Sequence, residues 1–260
     1  MFIIFFFIFG AIFGSFINCL VYRLHSEKTM LGRSFCPKCK HTLGFFDLFP
    51  LFSYIFLKAK CRYCKEKIGI QYFLVELFTG IIFSFGYWVY FINKVGLETN
   101  SLFLVFYLII SLFLIIIFIY DLKYYLVLDS IVWSAIIISF LFNFFILKVD
   151  LLNLLIAGAI GASFFGIQFI VSKGKWIGGG DILIGLLIGF VLGWPKVILA
   201  IFMSYILGSI IGIILLSFKK KGWSSQLPFG PFLVFSTWLV MLFGDAILNW
   251  YLVRILGFNL

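Results

Sequence analysis

"GGGDILIGLLIGFVLGWPK" runs from Gly178 to Lys196. Whether this stretch crosses a membrane decides the topology of the chain. Its apolar part, Ile182–Trp194, is short, since a spanning helix needs roughly 20 apolar residues and about 17 at the least. Seven longer apolar runs surround it: Phe2–Tyr22, Tyr72–Ile92, Leu102–Tyr120, Val127–Leu147, Leu151–Ser172, Val197–Phe218 and Phe232–Val253. Charge placement settles the count. If the loop after the first run is cytoplasmic and every run crosses, one side collects the ten Lys and Arg of residues 23–67 with Lys123, Lys173, Lys175 and Lys219–Lys221. That side then holds sixteen of the twenty basic residues, leaving Lys94, Lys148, Lys196 and Arg254 opposite. If Ile182–Trp194 did not cross, Lys219–Lys221 would move outside, against the positive-inside bias. The sequence therefore predicts an all-α polytopic membrane protein of about eight transmembrane helices with both termini outside. Pro195 suits the first turn of the seventh helix, where a missing N–H costs little.

Composition agrees. Of 260 residues, 64% are hydrophobic and 12% charged, more apolar surface than a soluble chain could hide. The 37 Phe residues read as lipid-facing bulk rather than as a cofactor site. Met1–Phe13 lacks a basic leading region and a small-residue cleavage site, so it is expected to stay as the first membrane helix. A net charge of +10 would suggest nucleic acid for a soluble protein. Here the membrane accounts for it, and no nucleic-acid partner is expected.

The one sizeable polar segment, about residues 23–71, is too small to bury much core of its own. It carries two C-x-x-C knuckles, Cys36/Cys39 in "CPKC" and Cys61/Cys64 in "CRYC", with 21 residues between them. Two such pairs supply the four soft ligands of a tetrahedral zinc site. Nearby Lys and Arg favour thiolates, and a cytoplasmic address argues against structural disulfides. The alternative is two redox or unligated pairs. Cys19 is left over and expected only to pack; neither His25 nor His41 is needed as a ligand. The chain thus divides into a first helix (1–22), a cytoplasmic four-cysteine domain (23–71) and a membrane core (72–260).

Only ten acids are present. Glu27, Asp47, Glu66, Glu98 and Asp150 fall in polar loops or at helix ends, and Asp245 has no evident role. Asp121, in "IYDLKYYLVLD", ends the third helix, and Asp181 opens the sixth. The topology puts both at the cytoplasmic edge of the bilayer, and ionisable residues in such segments are functional candidates. A carboxylate pair can hydrolyse a peptide: one member takes a proton from water while the other donates to the scissile carbonyl, the two sharing a proton. The glycines before Asp181 would let a substrate backbone approach and leave helix amides free to orient the acid. Each acid also has a plainer reading. Asp181 fits a helix N-cap, and so does Asp129 in "LDSIVW", eight residues after Asp121 and a rival for the first position. Glu76, one turn into the second helix, could face a basic side chain or a cationic ligand.

Several of these pieces together resemble the type IV prepilin peptidases, the leader peptidase/N-methyltransferases. The resemblance runs through "GSFINCLVYRL" (Gly14–Leu24), "CPKCKHTL", "PLFSYIFLKAKCRYCKEKI", "QYFLVELFTG", "YDLKYYLVLD", the G-x-G-D motif at Gly178, Gly180 and Asp181, and "LPFGPFL" (Leu227–Leu233). It covers nearly the whole chain. It implies that Asp121 and Asp181 are the catalytic aspartates of an enzyme in the bacterial inner membrane. It implies as substrates prepilins or pseudopilins, cleaved after Gly behind a short basic leader at the cytoplasmic face. The new N-terminal residue, commonly Phe, would then be methylated from S-adenosylmethionine, for which Ser15, Asn18 and Glu76 are the candidate contacts. Ser15, like Gly14, can equally serve helix packing. Leu128 stands where the family usually has Pro, and no Lys follows G-x-G-D; neither departure removes a catalytic group. Two other classes compete: an ion or proton transporter with the aspartates as a relay, against which no internal repeat is evident, and a non-catalytic assembly platform.

Overall fold

The computed structural model describes residues 2–29, 32–92, 97–218 and 227–254; Lys94 and Lys219–Lys221, used in the charge argument, lie outside them. Among the described residues every regular element is helical, apart from two isolated β-bridges. The chain forms two compact units, Met1–Leu104 and Val105–Leu260.

In the first unit, α1 (Phe2–His25) packs along α3 (Ile70–Tyr87), which continues through a π-helical turn at Trp88–Ile92. Gly10 and Gly14 make this contact close. A Cβ at Gly10 would lie 2.6 Å from the Thr79 carbonyl oxygen, and one at Gly14 would lie 2.7 Å from Glu76 Cα. Small residues four apart allow such backbone approach where apolar burial against lipid supplies little drive. The Asn18 side chain adds a cross-link, its Nδ2 donating to the Tyr72 carbonyl at 3.0 Å. Between the helices lie the cysteine segment and the short α2 (Phe52–Phe56).

The second unit contains most of α4 (Leu97–Tyr124), then α5 (Asp129–Leu141, followed by a π-helical turn at Phe142–Ile146), α6 (Leu151–Ser172), α7 (Gly179–Leu192), α8 (Lys196–Ser217) and α9 (Gly230–Arg254). Among the described residues, seven helices are long and apolar enough to cross a membrane; the shorter apolar helix is α7, with 14 residues. At 1.5 Å per residue it spans about 21 Å, less than the roughly 30 Å hydrocarbon core. Protein surrounds it: α7 packs against α5, α6, α8 and α9, and Ile184, Leu187 and Ile188 are fully buried. Its unpaired end groups find side-chain partners, as they must where water is scarce. Asn143 Nδ2 donates to the Phe190 carbonyl at 2.7 Å. Asn153 accepts from the Trp194 N–H at 2.9 Å and donates to the Trp194 carbonyl at 3.2 Å. A short helix can therefore stand inside the bundle without exposing bare backbone to lipid.

Glycines set how close α7 stands to α6. Gly161 faces Gly185, and Gly189 faces Ala157 and Gly158, backbone against backbone. Replacing Gly185 by Leu forces the helices apart. We expect a loss of about 1–3 kcal/mol, read as a lower melting temperature in detergent, together with reduced activity, because α7 carries Asp181.

Buried hydroxyls are satisfied within their own helices: Ser204, Ser236 and Thr237 donate to carbonyls three or four residues back. Trp238 Nε1 donates to Ser111 Oγ at 3.1 Å, tying α9 to α4. Asp245, without a role in the sequence, forms an ion pair with Lys196 at 2.8 Å, linking α9 to the start of α8.

Candidate active site

Asp121 lies in the last turn of α4 and Asp181 in the first turn of α7; they are 6% and 8% exposed. They are close enough that the charge of Asp121 acts on Asp181. Asp129, the rival for the first position, is exposed at the start of α5. Each buried carboxylate is held by a glycine amide. The Gly178 N–H donates to Asp181 Oδ2 at 3.1 Å. The Gly230 N–H, at the head of α9, donates to the Asp121 carboxylate.

The glycines of the G-x-G-D motif divide the work. A Cβ at Gly180 would lie 2.6 Å from Val127 Cβ, so Gly180 lets the loop between α4 and α5 dock on the start of α7. Gly178 caps Asp181. Gly179 is exposed with no heavy atom within 4 Å of a would-be Cβ, leaving open backbone two residues before the acid. Close approach of another chain is available there and at Gly178, while Gly180 is occupied by Val127.

Gly230 gives the late "LPFGPFL" stretch a physical role. A Cβ there would lie 2.5 Å from Asp121 Oδ2 and 3.5 Å from Ile184 Cδ1. Gly230→Ala is expected to displace the Asp121 carboxylate and lower activity by about tenfold to a hundredfold, since misplacing a reacting group by about 1 Å costs that much. Turnover measured beside the melting curve separates this local effect from unfolding. Tyr205 of α8 is a further neighbour that the sequence did not single out. It feels the charge of Asp181, its O–H donates to Gln168 Oε1 at 2.9 Å, and its ring packs on Phe229 with centroids 4.9 Å apart. Nothing local in "SYILG" marks it; the folding of α8 against α6 and α9 brings it there.

In the first unit, all four knuckle cysteines converge. The Sγ atoms of Cys36, Cys39, Cys61 and Cys64 lie within 4.8 Å of one another, with Cys36 and Cys64 3.9 Å apart. A tetrahedral zinc with Zn–S of about 2.3 Å places its sulfurs about 3.8 Å apart, so the donor set fits. No cysteine forms a disulfide. The knuckles repeat one design. Cys36 N–H donates to the His41 carbonyl and Cys61 N–H to that of Glu66; bridges pair Phe35 with Thr42 and Lys60 with Lys67. Each turns on a left-handed Lys, Lys40 (φ 58°) or Lys65 (φ 59°). Burial opposes ionising Cys61, yet the backbone N–H groups of Cys64 and Tyr63 and the neighbouring thiols bring it down to about 7. The Glu66 N–H favours the Cys64 thiolate, but desolvation and three crowded sulfurs push it up to about 11. A dication relieves that crowding. Cys19 stays apart beside Ser34, and His41 stacks on Tyr63 rather than joining the cluster. Ser15, Asn18 and Glu76 line one cavity of about 790 Å³ in this unit. Glu76 Oε2 accepts the Leu51 N–H at 2.8 Å, and the Ser15 hydroxyl donates to the same carboxylate.

Comparison with known proteins adds the decisive observation. Residues 8–90 match the Bacterial Peptidase A24 N-terminal domain and residues 108–213 the Type IV leader peptidase family. The chain is 31% identical to a Prepilin leader peptidase/N-methyltransferase of Bacillus subtilis (strain 168), covering 96% of this chain and 98% of that protein. The chain belongs to the type IV leader peptidase family. It is an enzyme of that family. Proteins with the same description from Legionella pneumophila (29% identical, covering 94% of this chain and 92% of theirs) and Aeromonas salmonicida (strain A449) (28%, covering 96% and 94%) are also similar. No solved structure matches. As a type IV leader peptidase, the chain places its N-terminal domain match over the cysteine cluster and the cavity, and its peptidase match over both aspartates.

Proposed function

We propose that this type IV leader peptidase is a membrane aspartyl endopeptidase in the bacterial inner membrane. It cleaves the basic leader of type IV prepilins or pseudopilins after Gly at the cytoplasmic face and then N-methylates the new N-terminus. The observation that carries the reading is the pair Asp121 and Asp181: two buried carboxylates, sixty residues apart in sequence, brought within reach of each other's charge. One carboxylate, ionised, accepts a proton from water. The other, protonated, donates to the scissile carbonyl oxygen, and the pair returns to its starting state on release of the new amine. Gly178 and Gly230 amides hold the two side chains, and the open backbone at Gly179 gives the substrate strand room. The positive-inside charge map supports a cytoplasmic address for this edge, where a prepilin presents its basic leader to water and its apolar stem to lipid.

The four-cysteine segment, about residues 23–71, is assigned the methyl-transfer role beside the first helix (1–22), and residues 72–260 the peptidase core. A structural zinc on Cys36, Cys39, Cys61 and Cys64 would hold the segment's fold. S-adenosylmethionine supplies an activated methyl group when bound, and Ser15, Asn18 and Glu76 are assigned to its site. No nucleic-acid partner is part of the reading.

The test is reconstitution of the purified protein in lipid with a type IV prepilin, following leader release and the mass of the new N-terminus. Cleavage by the native protein that is lost with either Asp121→Asn or Asp181→Asn supports the dyad. Cleavage persisting in Asp121→Asn alone moves the first acid to Asp129. Folded native protein that binds pilins without cutting them returns the platform reading.

A further inference from the structure

The segment between α1 and α3 carries a continuous run of aromatic rings that stay exposed. Phe46, Phe45, Phe49, Phe52 and Phe56 follow one another with centroids 5.8, 6.3, 5.7 and 6.4 Å apart. They are 77%, 75%, 47%, 54% and 79% exposed. A contiguous apolar patch of this kind marks an interaction surface. Two contacts fix its height along α3. The Leu51 N–H, in the middle of the run, donates to Glu76 Oε2 at 2.8 Å, and the Tyr54 ring packs on Phe73 with centroids 5.3 Å apart. Phe73 and Glu76 belong to the span Ile70–Phe91, which is long and apolar enough to cross a membrane. They come three and six residues after its start, about 5 and 9 Å along the axis at 1.5 Å per residue. The rings are thus held beside the first turns of a spanning helix, where a bilayer passes from headgroups to acyl chains. Charge lies next to them. Lys58, Lys60, Arg62, Lys65 and Lys67 stand against one acid, Glu66, in the ten residues after Leu57. All five are exposed, and the four lysines form no ion pair among the described residues. The Ile68 N–H donates to the Ala59 carbonyl at 2.7 Å and Lys60 bridges to Lys67, so this hairpin closes just before α3 begins at Ile70.

We propose that residues 45–56 seat in the leaflet beside α3 as an interfacial anchor, with Lys58, Lys60, Lys65 and Lys67 on anionic headgroups. Aromatic rings favour the boundary between headgroups and acyl chains, where an apolar face is buried while the backbone stays near water. Five exposed rings held at that height have lipid as their apolar neighbour. Anionic lipid attracts basic residues at the membrane surface, and the sign of the lysine cluster matches. The backbone of the row suits that depth and no deeper: its one helix, α2, has five residues, and open backbone groups need water at hand. Seating the row fixes the height of the four-cysteine knuckles over the membrane, whichever reaction the protein performs.

Depth-resolved photolabelling of the full-length protein in nanodiscs containing phosphatidylglycerol tests this. One probe lipid carries its photoreactive group on the acyl chain close to the glycerol, the other on the headgroup. Labelled peptides are read by mass spectrometry. We expect the acyl probe to label residues 45–56 at least about fivefold more than knuckle residues 36–42, and the headgroup probe to label residues 58–67. Phe46→Glu combined with Phe56→Glu should lower acyl labelling of residues 45–56 at least about fivefold, with α3 labelled as before. Both rings stand clear of the cavity lining, so its contents do not enter the result. Residues 45–56 left unlabelled by the acyl probe beside a labelled α3 overturn the proposal. Hydroxyl-radical oxidation then shows what takes the place of lipid: oxidised rings face water, and protected rings are covered by protein, the other unit or a second copy. Headgroup labelling absent from residues 58–67, or acyl labelling unchanged in the folded double variant, overturns it equally. Should the double variant unfold, the labelling pattern of native protein still decides.

Discussion

Asp181→Asn and Asp121→Asn are each expected to cut prepilin cleavage by about a thousandfold or more, with little change in melting temperature. The substitution keeps the shape of the side chain. The Asn Oδ1 can still accept from Gly178 N–H at position 181 or from Gly230 N–H at position 121, so the local fold has no reason to fail. What disappears is a group able to take up and release a proton, and positioned acid–base groups contribute about 10²–10⁴-fold. The two act as a unit, so the double variant should be scarcely slower than either single one. Asp129→Asn, at an exposed position, should stay within a few-fold of native. The native pH profile should be bell-shaped, because the reaction needs one member of the pair protonated and the other ionised. A single variant with near-native turnover, or a profile flat on both limbs, would remove the dyad.

The sequence revealed the parts of this molecule whose signal is local. Apolar runs of spanning length, a charge bias between sides, C-x-x-C knuckles and a carboxylate after glycines each report themselves within a few residues. The seven long helices fall close to the expected runs, and α7 is short, as its length suggested. What the sequence left open depends on pairings between distant elements. Gly230 meets Asp121 from 109 positions away, an encounter no spacing rule encodes. Gly180 reads as an invitation to substrate, yet Val127 fills the space beside it. Asp245 had no role until α8 and α9 packed and brought Lys196 alongside. Asn143 and Asn153 look like ordinary polar residues in or beside apolar runs, but they close the backbone of a helix too short to hide its own ends. The polarity of residues 23–71 likewise hid an exposed aromatic row, Phe45, Phe49 and Phe52, because composition averages over a surface that the fold sorts.

Cys36→Ser or Cys61→Ser is expected to abolish metal binding and unfold the segment between α1 and α3, leaving the helices in place. Native protein should carry about one zinc per chain; either variant should carry almost none, and Cys19→Ser should keep it. The size of the effect follows from burial. Between Ser26 and Gly69, Cys36 and Cys61 are the only residues buried as a whole among the described residues. A segment with no other core has little but a bound metal to offset the chain entropy of ordering, and a four-thiolate zinc would contribute on the order of 10 kcal/mol, as in small domains of this kind. The remaining support is polar. Asp47, with its side chain 6% exposed, bonds Arg62 at 2.6 Å, accepts from Tyr63 at 3.2 Å and takes the Gly44 N–H at 3.1 Å. Burial works against the Asp47 carboxylate, but those donors hold it below its usual range. A depressed folded-state value means that its support is present above about pH 4 and is lost as pH falls through the folded value. Acid also protonates the thiolates, so both effects loosen the segment in the same direction. Trypsin should therefore cut at Lys38 and Arg62 at least about a hundredfold faster in the cysteine variants, or after chelation, than in native protein. The far-ultraviolet signal of the membrane helices should barely change. Zinc-free native protein with the segment still resistant to trypsin would show that the metal is not what holds it.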